Sequence, residues 1–340
     1  DCTDSTINRN LVYNTGMYNV NQVMEGECGI MALCDINCDI MFNEVYNCFD
    51  QKTGFDAMGI DIDWNTDNIR VQYNYCHDNQ GGGIGTMANQ NSFILNNKVE
   101  NNQGDTNNKG AITISNFTSR YEAVREDWHA VKNLKIKDNL ILHNNQDTHA
   151  FQVKNSNGDT NFEGNEFTDN HLIYNGEKAK NFYWINVDSS TPWYKFANNK
   201  FYSDDNSQFR AFESTDYFSL NNEEGATPYE PTKEKSFSEW QKRDLNSTYE
   251  LLDSTLIAAN PYDANIKYED EKLIFNWKVN TGDIWHFNLY ELQENETPSY
   301  LNMIGESYTN EFTYTPNKGG TFYYVIQPES NQGSYGKAIK

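Results

Sequence analysis

The chain has 340 residues with 26 Lys plus Arg against 49 Asp plus Glu, a net charge of −23. That balance excludes nucleic acid as a partner, because phosphate binding draws on clustered cations, and it opposes docking on anionic lipid. Mean hydropathy is −0.82 and only 37% of residues are apolar, yet 14% are aromatic, enough bulk for a packed core. No apolar run reaches the roughly 20 residues that span a bilayer, so no membrane insertion is expected.

A repeated segment governs the first two thirds. Its form is apolar–x–x–Asn–x–apolar, then a polar turn. It recurs at Ile7-Asn10-Val12, Ile40-Asn43-Val45, Val71-Asn74-Cys76, Ile94-Asn97-Val99, Ile136-Asn139-Ile141, Phe162-Asn165-Phe167 and Phe196-Asn199-Phe201. The Asn-to-Asn steps are 33, 31, 23, 42, 26 and 34, which describes a rung with loops of variable length. An Asn repeated at one bend can hydrogen-bond its neighbours above and below, and stacked rungs bury a core that one rung cannot. A second strand per rung alternates with period 2, as in Gly59-Ile60-Asp61-Ile62-Asp63, Ala111-Ile112-Thr113-Ile114 and Ala150-Phe151-Gln152-Val153. Ile60, Ile62, Ile112, Ile114, Phe151 and Val153 are expected inside; Asp61, Asp63, Thr113, Ser115, Gln152 and Lys154 outside. These patterns predict an all-β fold, a parallel β-helix over residues 1–258.

Six cysteines, Cys2, Cys28, Cys34, Cys38, Cys48 and Cys76, lie in the first quarter. A disulfide framework and zinc ligation stay open, beside the plainer reading that they are small residues stacked in a core. Residues 118–132 interrupt the ladder, and Trp128 and His129 could reach a ligand from there. Ser236–Trp240 and Asp244–Ser247 have the look of a cap over the last rung. Residues 259–340 change texture: Leu273–Trp277, Phe287–Tyr290, Glu311–Tyr314 and Thr321–Ile326 alternate at sandwich spacing. No N-terminal cap is visible, so an N-terminal domain or a partner subunit is expected to cover the first rung.

The stretch from about residue 1 to 255 resembles right-handed parallel β-helix proteins of the pectate-lyase-like superfamily. Gly59–Asp63 with Val71–Gly83 is most similar to secreted β-helical glycoside hydrolases. Residues 261–340 resemble a fibronectin type III module with Trp277 in its core. The resemblance implies a secreted or cell-surface bacterial protein acting on an oligo- or polysaccharide. Glycoside hydrolysis needs two carboxylates, and the densest acidic cluster is Asp50, Asp56, Asp61 and Asp63. Asp61 and Asp63, two apart on one strand, face the same side at about 6.5–7 Å, and such proximity raises one pKa. The lacto-N-biosidase type within this resemblance implies two aspartates seven apart, a spacing that Asp56 and Asp63 match. The expected catalytic residues are therefore Asp56, Asp63 and Asp61. Trp64, Gln152, Lys154, Trp128 and His129 are the expected substrate contacts.

The short outward residues Gly85, Thr113 and Ser115 are expected to leave a groove above the acids. No cofactor is required. Calcium on Asp61 and Asp63 belongs to the alternative, a polysaccharide lyase of the same fold, with Lys154 or Arg210 as base. No outward basic residue is expected beside the acids, which counts against that alternative. A non-catalytic glycan-binding or adhesin β-helix is the remaining alternative.

Overall fold

The computed structural model describes residues 3–17, 27–50, 56–104, 109–115, 131–144, 149–154, 163–175, 185–188, 194–204, 209–214, 234–253, 255–256 and 258–340. Trp128 and His129 lie outside these residues, and of Lys154 only the backbone is described. The chain divides into two compact units, Asp1–Leu251 and Leu252–Lys340.

The first unit winds through three parallel sheets, one strand in each per turn. The first rung supplies Thr3–Asn8, Leu11–Tyr13 and Ile30–Ala32; the second Ile36–Met41, Glu44–Tyr46 and Ile60–Ile62. Each rung pairs in register with the next. In the first sheet Ile7, Ile40, Val71, Ile94, Ile136, Phe167 and Phe196 form one inward column. In the third, Ile30, Ile60, Ile84, Ile112, Phe151, Ile185 and Ala211 form another. Apolar residues at period 2 on short strands can bury one face only, and stacking converts those faces into one continuous core.

The corner between the first and second sheets depends on two neighbouring positions. Arg9, Phe42, Tyr73, Asn96, Asp138, Asp169, Asn198 and Asn246 have φ between 53° and 62° apart from Asn96 at 52°, a left-handed bend that non-glycine residues resist. The residue after each bend pins it. Asn74, for example, donates from Nδ2 back to Ile40 O at 2.9 Å and forward to Asn97 Oδ1 at 3.0 Å, while its N–H also donates to Asn97 Oδ1 at 2.9 Å. The same bonds join Asn10, Asn43, Asn74, Asn97, Asn139, Asn170 and Asn199. The sixth member is Asn170, where the repeat predicted Asn165. The segment Phe167-Asn170-Leu172 fits the motif as well as Phe162-Asn165-Phe167 does, and Phe167 stacks on Ile136; Phe162 lies outside the described residues. Asn165 instead caps a different corner, donating to Val131 O and accepting from Leu134 N at 2.8 Å each.

The last rung is covered as the sequence predicted. Ser236 and Glu239 form a capping box at the start of helix Phe237–Trp240. Trp240 is fully buried, its ring 4.9 Å from that of Phe196. The five described cysteines form no disulfide with one another, and Cys38, Cys48 and Cys76 sit in the core.

The second unit is a small antiparallel sandwich. One sheet holds Pro261–Glu269, Lys272–Val279 and Glu311–Tyr314; the other holds Met303–Ser307, His286–Leu292 and Tyr323–Glu329. Phe275, Trp277, Phe287, Leu289 and Ile326 form its core, separate from that of the β-helix.

Candidate active site on the third sheet

Alternation on Ile60–Ile62 turns the two isoleucines inward and Asp61 outward. Asp61 is nonetheless only 7% exposed. In register with it along the outer face run Gly85, Thr113 and Gln152. The Gly59-x-Asp61 strand thus sets the acid at the head of a column that climbs one rung at a time.

Two residues join the acids that sequence reasoning missed. Cys28 Sγ lies 3.6 Å from Asp61 Oδ2. Lys109 Nζ lies 3.4 Å from Asp56 Oδ1 and donates to Asp56 O at 3.1 Å. Cys28, Asp56 and Asp61 each offer one ligand atom within 4.8 Å of the others. Rung stacking is what brings them together, and a motif scan along one strand does not see it.

The electrostatics separate the acids. Burial, then the negative charges of Asp63 and Asp56, push the Asp61 carboxyl up to about 7, against the opposing pull of Lys109 and Cys28. The Cys28 thiol is raised well above its usual range by burial and by Asp61 and Asp56. It therefore stays a neutral donor near pH 7 and is not a thiolate nucleophile. Asp56 carries Lys109 as its ion-pair partner, and Asp63 Oδ1 accepts from Trp64 N at 2.8 Å. The donor set does not fit calcium: the cluster holds one thiol, which hard cations disfavour, and an ammonium already stands beside its acids.

Several expectations change here. Asp56, Asp61 and Asp63 do come together. The groove predicted over Gly85, Thr113 and Ser115 is partly filled at Gly85. A Cβ at Gly85 would stand 2.9 Å from Met58 Cε and 3.1 Å from Asp61 Oδ1, so those two groups fill the space that the missing side chain leaves. Thr113 is 6% exposed and its Oγ1 accepts from Gly110 N at 2.8 Å. Gln152, predicted as a substrate contact, is fully buried, with both amide atoms lacking a hydrogen-bond partner among the described residues. The expectation that no basic residue stands beside the acids fails at Lys109, which lies just before Ile112–Ser115 and reaches Asp56. Trp64 is half-buried at the corner leaving the sheet. His77 belongs to the second sheet, between Glu44 at 3.4 Å and Asp78 at 2.7 Å and stacked on Tyr46, and takes no part in the cluster.

Residues 1–201 match the family described as "Right handed beta helix region". The chain belongs to this family. Among solved structures, one similar chain is a double mutant of the tailspike protein of E. coli bacteriophage HK620 in complex with pentasaccharide. It has 10% identity, covers 93% of this chain and 70% of its own, and has a TM-score of 0.18, too low to carry any argument about this site. No curated protein matches the chain.

Proposed function

We propose that the β-helix unit is a secreted or cell-surface bacterial glycoside hydrolase that cleaves a bond within an oligo- or polysaccharide, with Asp61 as general acid. The observation that carries this is a carboxyl held near pKa 7 with a second carboxylate, Asp56, within 4.8 Å of it. A general acid must be protonated at the working pH, and burial beside like charges achieves that. Asp56, paired with Lys109, is the anionic partner, and Asp63 raises its neighbour and holds the corner. This reading gives the acid's role to Asp61, whereas the resemblance implied a pair made of Asp56 and Asp63.

Carboxyl groups about 5–5.5 Å apart suit attack by the second acid on the sugar carbon, whereas inversion needs about 6.5–9.5 Å to admit a water. The Asp56–Asp61 spacing therefore supports retention of configuration. Lys109 is the feature that favours a second reading, a lyase that removes a proton beside a uronate carboxyl. Its ammonium is engaged by Asp56, and a chain of net charge −23 repels polyanions.

The deciding experiment is a glycan and aryl-glycoside panel with mass and NMR detection. A product carrying one added water, released with the starting anomeric configuration, is expected. A product bearing a new double bond establishes the lyase, and glycan binding without any product establishes a non-catalytic binder.

A further inference from the structure

The sandwich carries a buried charged layer on the face opposite its core. Phe287 and Leu289 point into the sandwich, so His286 and Asn288 point out, yet they are 3% and 1% exposed. His286 Nε2 lies 3.1 Å from Glu329 Oε2 on one neighbouring strand and 3.9 Å from Glu306 Oε1 on the other. Asn288 Nδ2 donates to the same Glu329 Oε2 at 3.0 Å. His286 Nδ1, Asn288 Oδ1 and Glu329 Oε1 are buried without a hydrogen-bond partner among the described residues. One imidazole thus stands between two buried glutamates, of which Glu306 also accepts from the Tyr308 hydroxyl at 3.3 Å.

The layer reaches the edge of the sheet through Glu329. Glu329 pairs with Tyr335, and Ile326 with Ile339, so the segment 335–339 lies as a short extra strand along Tyr323–Glu329. Ile339 N–H donates to Ile326 O, Ile326 N–H to Ile339 O, and Gly336 N–H to Pro328 O, each at 3.0 Å. Tyr300 completes the surroundings: Tyr335, Glu329, Tyr290 and Glu306 all act on its hydroxyl.

We propose that the proton on His286 is a latch: the imidazolium bridging Glu306 and Glu329 keeps segment 335–339 paired to the sheet, and losing that proton releases the segment. Without the proton, two carboxylates remain buried with no cation between them, which is strongly unfavourable. Glu329 is the glutamate nearest the sheet edge, and water reaches it when segment 335–339 gives up its three backbone bonds to the neighbouring strand, the bond from Lys337 N–H to Asn260 Oδ1 at 2.8 Å and the packing of Ile339 on the core. Few backbone bonds and an exposed Tyr335 place this segment at the low-stability end of the unit.

The groups facing His286 are Glu306 and Glu329 from the flanking strands, Asn288 and Tyr290 from its own, and the ring of Tyr308 at 5.6 Å. Burial alone would lower the His286 pKa, but Glu306 and Glu329 outweigh it and raise it above the usual histidine value. A raised folded-state pKa contributes stability below the unfolded value that is lost as pH rises through the folded one. Release therefore comes on the alkaline side.

The test is hydrogen exchange by mass spectrometry on the full chain, corrected for the intrinsic pH dependence, comparing about pH 6 with about pH 9. Peptides covering Gly336 and Ile339 are expected to lose protection by roughly tenfold or more, one pKa unit being a factor of ten, while peptides covering Phe287–Leu289 stay protected. In the double variant His286→Gln, Glu329→Gln, which keeps hydrogen-bonding groups and removes both charges, that dependence should vanish. Flat protection in the unaltered chain, or the same dependence in the variant, overturns the latch. Should the variant fail to fold, NMR titration of the unaltered chain decides: a His286 pKa at or below the ordinary histidine value also overturns it.

Discussion

Asp61 has two consequences for one side chain. Its pKa of about 7 makes the carboxyl a proton donor around neutrality, and it also makes the folded state bind a proton that the unfolded state has already released. A carboxyl raised in the folded state contributes stability at low pH, and that contribution declines as pH rises from its unfolded value toward 7. Asp61→Asn keeps the shape and removes the charge. It should raise thermal stability at pH 8 by up to a few kcal/mol and at pH 5 by only about 1–1.5 kcal/mol, as read by melting at the two pH values. Turnover of natural substrates should fall by about 10²–10⁴-fold, with partial rescue on aryl glycosides whose leaving groups need no proton. Unchanged turnover would end Asp61's role as the acid. The acids themselves were legible from the Ile60-Asp61-Ile62-Asp63 alternation. Cys28 and Lys109 were not, because each meets its partner only across the winding, 33 and 53 residues away in sequence. Nor could the alternation reveal that Asp61 is buried, since outward on a strand means solvent only where nothing folds back over it.

The asparagine column was readable as a periodic element, and its single misplacement is instructive. Asn165 and Asn170 both follow an apolar residue at the motif spacing, and only the pairing of Phe167 with Ile136 selects Asn170. An interior member serves four partners. Asn97 Oδ1 accepts from Asn74 N and Nδ2, and its Nδ2 donates to Val71 O and Asn139 Oδ1. Asn97→Ala should therefore cost about 3–5 kcal/mol, since each buried group left unpaired costs about 1–3. Asn10→Ala, at the exposed first rung, should cost about 1, and equal losses in denaturant melts would refute the ladder as a cooperative element. At the other end the column stops at Asp244, fully buried, whose carboxylate oxygens accept from Asn199 Nδ2 at 3.2 and 3.1 Å. Burial raises Asp244 to about 7, only partly offset by Asn199 and Trp240. The same sign applies as for Asp61: the protein loses stability as pH climbs toward 7. Asp244→Asn should flatten that loss, giving a larger gain in melting temperature over the unaltered chain at pH 8 than at pH 5.

At the scale of the whole molecule, two textures in the sequence correspond to two cores. The parallel winding was legible because its period repeats, and the sandwich because its strands alternate. The position of the join was not, because residues 252–258 carry neither pattern. The expectation set the division at 258/259, whereas the compact units meet at Leu251/Leu252. Asp253 and Ala258, among the described residues of this stretch, are bound into the sandwich unit. Asp253 N–H donates to Gln332 Oε1 at 3.0 Å, and Ala258 bridges to Asp283 and is 2% exposed. Gly336 approaches Ala258 so closely that a Cβ on it would lie 3.0 Å from the alanine methyl. We propose that each unit folds by itself, which two fragments of the C-terminal unit can decide. The fragment 252–340 should melt cooperatively and reversibly. The fragment 259–340 should melt too but be weaker by about 1–2 kcal/mol, because it loses the buried Ala258 contact and the Asp253 hydrogen bond. Equal stability of the two would return the boundary to 258/259, and loss of cooperative melting in both would show that the sandwich depends on the β-helix unit.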